Sequence, residues 1–176
     1  MRKIIQISVL LIAANLIFVS LSAQLPKALV FGNVTYANPT SSFKDISNYG
    51  IGYELGGGIG FGKTILMGSV GYMQYHLPNP TSGGLVFESQ EPDMKFTPIK
   101  VGIRRYLLLG LFVNGNLGMA VRKWGTTPNV NYFLYEAGAG YKLGFFEVGA
   151  AYTGYSSSGH TGINALLLKA GLAIKI

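Results

Sequence analysis

The sequence predicts an all-β chain, an eight-stranded antiparallel transmembrane β-barrel with up-and-down connections. Three observations lead there. The composition is apolar and poor in charge: 49% of the 176 residues are hydrophobic and 12% are charged, with 25 glycines and a mean hydropathy of +0.34. A soluble domain carries about twice that share of charge. Beyond Gln24, apolar side chains recur with a period of two, so each segment has one greasy face and one face of glycine and scattered charge. The connections alternate between long polar stretches and tight turns. Strands of roughly 10 residues cross a bilayer, an even number closes the sheet, and closure pairs every backbone group without a helix.

The chain opens with Met1-Arg2-Lys3, an apolar run from Ile4 to Val19, and the small residues Ser20-Leu21-Ser22-Ala23. This pattern reads as a secretory signal peptide over residues 1–23, cleaved after Ser22 or Ala23. An N-terminal membrane anchor, the other reading, needs an apolar span of about 20 residues. The barrel then occupies residues 24–176. There are no cysteines, which excludes a lipoprotein anchor, a disulfide frame and a thiolate metal site. The two histidines, His76 and His160, are far apart, so neither a metal nor another cofactor is expected. Without Arg2 and Lys3, 12 basic residues face 7 acidic ones. They are scattered, with none of the clustering that marks a nucleic-acid surface.

Eight segments follow in order. Residues 28–37 form the first. Tyr49 to Phe61 is the clearest: Tyr49, Ile51, Tyr53, Leu55, Ile59 and Phe61 alternate with Gly50, Gly52, Glu54, Gly56, Gly58 and Gly60. Thr64 to His76 is the third, with Leu66, Val70 and Tyr72 on one face. In the fourth, Lys95 to Leu107, Ile99, Val101 and Ile103 alternate with Lys100, Gly102 and Arg104. Leu111 to Arg122, Tyr132 to Leu143, Phe145 to Tyr155 and Gly162 to Ile176 complete the set with the same alternation. Residues 38–47, 77–93, 123–131 and 156–161 are the long connections, and 62–63, 108–110 and 144 the tight ones. Short turns face the periplasm in such barrels. An exported soluble sandwich would instead fill its second face with Lys, Thr, Ser and Glu.

Aromatic residues gather near the segment ends. Tyr36, Tyr49, Tyr75, Trp124, Tyr132, Phe133 and Tyr155 lie towards the long connections, and Phe61, Tyr106, Phe112, Tyr141, Phe145 and Phe146 towards the turns. The sequence thus predicts two interfacial girdles. The inward face carries Glu54, Lys100, Arg104, Glu136, Lys142, Glu147 and Lys169, with Arg122 on the same parity. An eight-stranded interior is just wide enough for side chains, and buried charges must pair, so these residues predict an ion-pair network that fills the lumen. A narrow polar conduit is the alternative use of the same residues.

Gly57 to Thr64, GGIGFGKT, matches the Walker A pattern. A phosphate loop must lead into a helix whose N-terminus receives the phosphates. The residues after Thr64 keep a period near two and contain Gly68 and Gly71. The match is therefore predicted to be a strand, a Gly62-Lys63 turn and the next strand, with no nucleotide as partner.

Two stretches carry a family likeness. Phe96-Thr97-Pro98-Ile99-Lys100-Val101-Gly102-Ile103-Arg104-Arg105-Tyr106 resembles a recurrent mid-barrel strand of the small OmpA/OmpX/OmpW-like outer-membrane barrels, and in particular of the outer membrane protein beta-barrel domain family common in Bacteroidetes-type bacteria. Lys169-Ala170-Gly171-Leu172-Ala173-Ile174-Lys175-Ile176 resembles the C-terminal signal read by the barrel-assembly machinery, with Lys169, Gly171, Ile174 and Ile176 at its defining positions. The final residue of that signal is usually aromatic, and Ile176 departs from it. The resemblance implies a Gram-negative outer-membrane location, contact with outer-membrane lipid and lipopolysaccharide, and the assembly machinery as a partner in biogenesis. The peptidoglycan-tethering role of two-domain relatives is not implied.

The function expected is that of a small integral outer-membrane protein, non-enzymatic, with an envelope-structural or surface-interaction role. One alternative is a carrier for small hydrophobic molecules, as in OmpW-like barrels, with Leu77, Leu85, Val86, Phe87 and Met94 lining an external pocket. The loop holding them also carries Glu88, Glu91 and Asp93. The other alternative is a degenerate lipid A deacylase. Tyr155-Ser156-Ser157-Ser158-Gly159-His160 faintly resembles the active segment of those barrels, but Tyr155 stands at the position of the catalytic histidine. Ser157 then has no obvious general base.

Overall fold

The computed structural model describes residues 26–45, 47–77, 81–82, 85–86, 93–158 and 160–176. The predicted signal peptide lies outside them. Strands β1 (Pro26–Thr40), β2 (Tyr49–Phe61) and β3 (Thr64–His76) are followed by a two-residue hairpin, β4 (Thr81–Ser82) with β5 (Leu85–Val86). Strands β6 (Met94–Tyr106), β7 (Leu111–Lys123), β8 (Val130–Leu143), β9 (Phe146–Ser157) and β10 (His160–Lys175) complete the chain. The eight long strands close an antiparallel barrel in the order β1-β10-β9-β8-β7-β6-β3-β2. Each pairs with its sequence neighbour among them, and β10 closes on β1 from Leu29 opposite Lys175 to Thr40 opposite Asn164.

The alternation read from the sequence sets the two faces. Outward positions such as Leu55, Val101, Leu117, Val148 and Leu168 are exposed, Val101 at 63%. An aliphatic surface of this kind has no favourable contact with water and suits hydrocarbon. The tight connections lie together at one end, here the turn end. Gly62, Gly110 and Gly144 take φ of 60°, 89° and 60° there, left-handed values that glycine adopts without a Cβ clash. Leu109 takes φ 53° in the same region and is 89% exposed. GGIGFGKT is the end of β2, the Gly62-Lys63 turn and the first residue of β3, with Phe61 opposite Thr64.

At the opposite, loop end the structure departs from the predicted boundaries. Residues 38–40 extend β1 instead of opening a loop, and Ser41–Asp45 form a 3-10 helix. Phe43 of this helix turns into the barrel mouth, its ring edge-on to Tyr75 at 5.0 Å between centroids. Pro98 sits inside β6, where it lacks a backbone donor. The β3–β6 ladder is interrupted there, between the Val70–Ile99 and Met73–Phe96 pairs.

The predicted girdles hold only in part. Tyr36, Tyr49, Phe133, Phe61, Tyr141, Phe145 and Phe146 are outside, whereas Tyr75, Tyr132, Tyr155, Tyr106 and Phe112 are buried in the lumen. Being near a strand end does not choose a face; the parity of the position does. The inward aromatics build two apolar clusters. One, at the loop end, joins Phe43, Tyr75, Phe96, Tyr132, Tyr155 and smaller residues. The other, at the turn end, joins Leu29, Phe31, Ile65, Met67, Tyr106, Phe112 and Ala173.

Candidate functional site

Between these apolar clusters lies a layer of charge. Glu54 comes from β2, Lys100 from β6, Glu136 from β8 and Lys169 from β10. In the barrel order these are every second strand, and the signs alternate around the circuit. The intervening strands present small or neutral polar residues beside them: Asn33 and Thr35 on β1, Gly71 on β3, Asn116 and Gly118 on β7, Gly149 and Thr153 on β9. Room for four long side chains therefore exists because their neighbours are short.

The four close a ring. Lys100 Nζ donates to Glu54 Oε2 and to Glu136 Oε2, each at 2.9 Å. Lys169 Nζ donates to Glu54 Oε2 at 3.0 Å and to Glu136 Oε1 at 2.7 Å. Asn116 Nδ2 gives Glu136 Oε1 a further hydrogen bond at 2.9 Å. Each ammonium bridges both carboxylates, so no charge in the ring is left alone. Removing an ion from water costs several kcal/mol, and only such close pairing offsets it.

A separate pair sits towards the turn end. Arg104 forks onto Glu147, Nη1 to Oε2 at 2.7 Å and Nη2 to Oε1 at 3.4 Å. Its guanidinium lies 4.2 Å from the Phe112 ring centroid and 5.2 Å from that of Phe31. Gly56 and Gly140 make this possible: a Cβ on either would fall inside contact distance of the Phe31 or Phe112 ring. These glycines make room for aromatic rings rather than for charges. Among the described residues Arg104 Nε and Asn33 Oδ1 are buried without a hydrogen-bond partner. Both residues line a cavity of about 30 Å³, and a second, of about 20 Å³, adjoins the ring. Each has room for about one water molecule.

Six of the seven charged residues predicted for the lumen thus fall into a ring of four and a pair. Lys142 joins neither. It has the inward parity but lies at the rim, where its ammonium donates to the Gly144 carbonyl in the adjoining turn. Arg122 lies at the loop end, donating from Nη1 to the Tyr132 hydroxyl at 3.1 Å, with its guanidinium near the Trp124 ring. Sequence reading missed Asn116 as a member and Phe31, Phe96 and Phe112 as the walls. Counting parity back from Lys100 to Phe96, or from Asn114 to Phe112, would have found two of them.

The other candidates are placed as follows. Met94 is buried inside the barrel and so lines no external pocket, and the half-buried Leu77 packs against the loop-end cluster. Phe87, Glu88 and Glu91 lie outside the described residues. Tyr155 points into the lumen, its ring 4.8 Å from that of Phe96, so this side chain does not face Ser157 chemistry at the surface. Of the C-terminal positions, Lys169 belongs to the ring and Gly171 packs closely against Gly32 and Asn33. Ile174 and Ile176 are exposed on the outer face. Among the described residues no group of three or more His, Asp or Glu is placed to hold a metal.

No protein-family model matches the sequence, and no curated protein matches it. Solved structures do match in fold. Ail of Yersinia pestis, in a phospholipid bilayer nanodisc, superposes with a TM-score of 0.57 at 15% identity, covering 85% of this chain and 99% of that one. The crystal structure of Ail gives 0.55 at 15% identity, covering 86% and 100%. Neisserial surface protein A gives 0.52 at 16% identity, covering 85% and 97%. The chain has the fold of these small eight-stranded outer-membrane β-barrels.

Proposed function

We propose that this protein is an integral outer-membrane barrel of the Gram-negative envelope whose lumen is sealed, and that it acts through its surfaces rather than as a channel or an enzyme. The observation that carries the reading is the neutral ring of Glu54, Lys100, Glu136 and Lys169, capped by aromatic clusters on both sides. An ion crossing the lumen would have to break the charge-assisted hydrogen bonds of a closed ring. The belt of exposed aliphatic residues supports a membrane setting. The ring supports a structural role for the lumen: it ties four alternate strands to one another across the interior.

The test joins location to conductance. Fractionated membranes should contain the protein in the outer membrane, and the detergent-purified barrel should migrate differently before and after boiling. In planar bilayers it should show no stable open state. Discrete conductance steps would overturn the sealed lumen, and recovery in the soluble fraction would overturn the membrane reading.

A further inference from the structure

Three lysines of inward parity that take no part in the ring lie at the turn end. Lys142 on β8, Lys175 on β10 and Lys27 on β1 all have inward parity; Lys142 and Lys175 lie in the last two positions of their strands and Lys27 in the second position of its own. Only β9 separates β8 from β10, and β10 is paired directly to β1. Leu29 lies opposite Lys175, and main-chain hydrogen bonds join Ala28 to Ile176 in both directions at 2.8 Å. Lys27 and Lys142 are the two charges that act most strongly on Lys175. The acidic side chain nearest by register is Glu147, opposite Lys142, and Arg104 already holds it. Three like charges thus share one rim of the barrel, an arrangement that repels itself when nothing lies between them.

Each ammonium is only partly satisfied. Lys27 Nζ donates to the Gly62 carbonyl at 3.4 Å, Lys142 Nζ to the Gly144 carbonyl, and Lys175 Nζ lies 4.0 Å from the centre of the Tyr106 ring. An ammonium has three donors, so each keeps donors to spare. An independent feature marks the same place. The Tyr106 hydroxyl, on a side chain with 9% exposure, is buried without a hydrogen-bond partner among the described residues. Its ring lies under Lys175 and beside Phe112, with ring centroids 5.9 Å apart.

We propose that the turn-end mouth is a binding site for a phosphate-bearing anion, held by Lys27, Lys142 and Lys175 with Tyr106 as the donor at its base. Multivalent oxyanions fit because they accept several hydrogen bonds at once and neutralise the three ammonium groups together. A carboxylate offers fewer acceptors and one charge. The phosphate is carried either by a soluble molecule entering the mouth or by the headgroup of a neighbouring lipid. The proposal does not depend on the sealed lumen, and it holds for either orientation of the barrel.

The test is calorimetric titration of the full-length mature barrel, in phosphatidylcholine nanodiscs, with inorganic pyrophosphate. Binding is expected in the wild type. The K27Q/K142Q/K175Q variant should lose it, and Y106F should weaken it by roughly tenfold, the value of one hydrogen bond to a charged group. The K95Q/K123Q variant, altered at the loop end, should bind as the wild type does. Gel mobility before and after boiling shows that each variant is folded. Competition from phosphatidylglycerol in the nanodisc identifies a lipid headgroup as the phosphate source, and unchanged pyrophosphate binding in its presence identifies a soluble one. No binding by the folded wild type, or binding that survives the triple substitution, overturns the proposal.

Discussion

Lys100 on β6 and Glu136 on β8 meet at 2.9 Å across the strand that separates them, while Lys169 on β10 reaches the same carboxylate at 2.7 Å from the other side. Glu136 is therefore the joint at which three non-adjacent strands are fastened. Its replacement by alanine leaves two buried ammonium groups sharing one carboxylate. The expected loss is about 3–5 kcal/mol of stability. Urea unfolding of the barrel refolded into lipid vesicles measures it. Replacing Glu136 and Lys169 together, by Leu and Met, retains the Glu54–Lys100 pair and should cost less than the sum of the single changes. Simple additivity would show that the ring is not a coupled unit.

Arg104 unites a fork onto Glu147 with stacking between two aromatic rings. Lysine keeps the charge but supplies neither the fork nor the plane. Arg104→Lys should therefore destabilise the barrel by about 1–2 kcal/mol, the scale of a desolvated cation–π contact plus a lost hydrogen bond. The same unfolding assay applies, and an unchanged midpoint would mean that charge alone is what this position requires.

Gly140 and Gly115 give opposite expectations for one added methyl group. At Gly140 a Cβ meets the Phe112 ring and the Val148 carbonyl, whereas at Gly115 it meets nothing within 4 Å. Gly140→Ala should cost about 1–3 kcal/mol by overpacking. Gly115→Ala should be neutral, or stabilising by up to about 1 kcal/mol through the loss of glycine's conformational freedom. Equal effects of the two substitutions in parallel urea titrations would contradict the close packing of Phe112 on β8.

Position along the membrane normal gives another contrast. Val101 lies in the aliphatic belt and Leu109 at the tip of a tight turn, both exposed. In a bilayer, Val101→Arg should cost about 2–4 kcal/mol, and Leu109→Arg about 0–1 kcal/mol. In a water-soluble barrel the two would cost alike. Comparing the two variants after refolding in vesicles distinguishes these settings.

Much of the fold was legible because a strand exposes its two faces alternately. Tyr49 to Phe61 could be divided into outward and inward sets with no knowledge of its neighbours, and the structure divides it the same way. The aromatics were harder. Tyr106 and Phe112 stand near strand ends, as a girdle requires, yet their parity sends them inward, where they floor the mouth. Lys142 shows a second limit: parity gives the face but not the depth, and two residues from the turn a long side chain reaches a carbonyl at the rim instead of the ring.

The sequence by itself determined the strands, their faces, the turns and the set of charges available to the lumen, because these depend on period two and on local backbone preference. Only the tertiary structure decided who pairs with whom. Glu54 and Lys169 are separated by 115 positions in the chain. They come into register because β10 closes on β1 with a particular stagger. Pairing across alternate strands depends on that stagger around the whole circuit, a property of the closed sheet that no single segment contains.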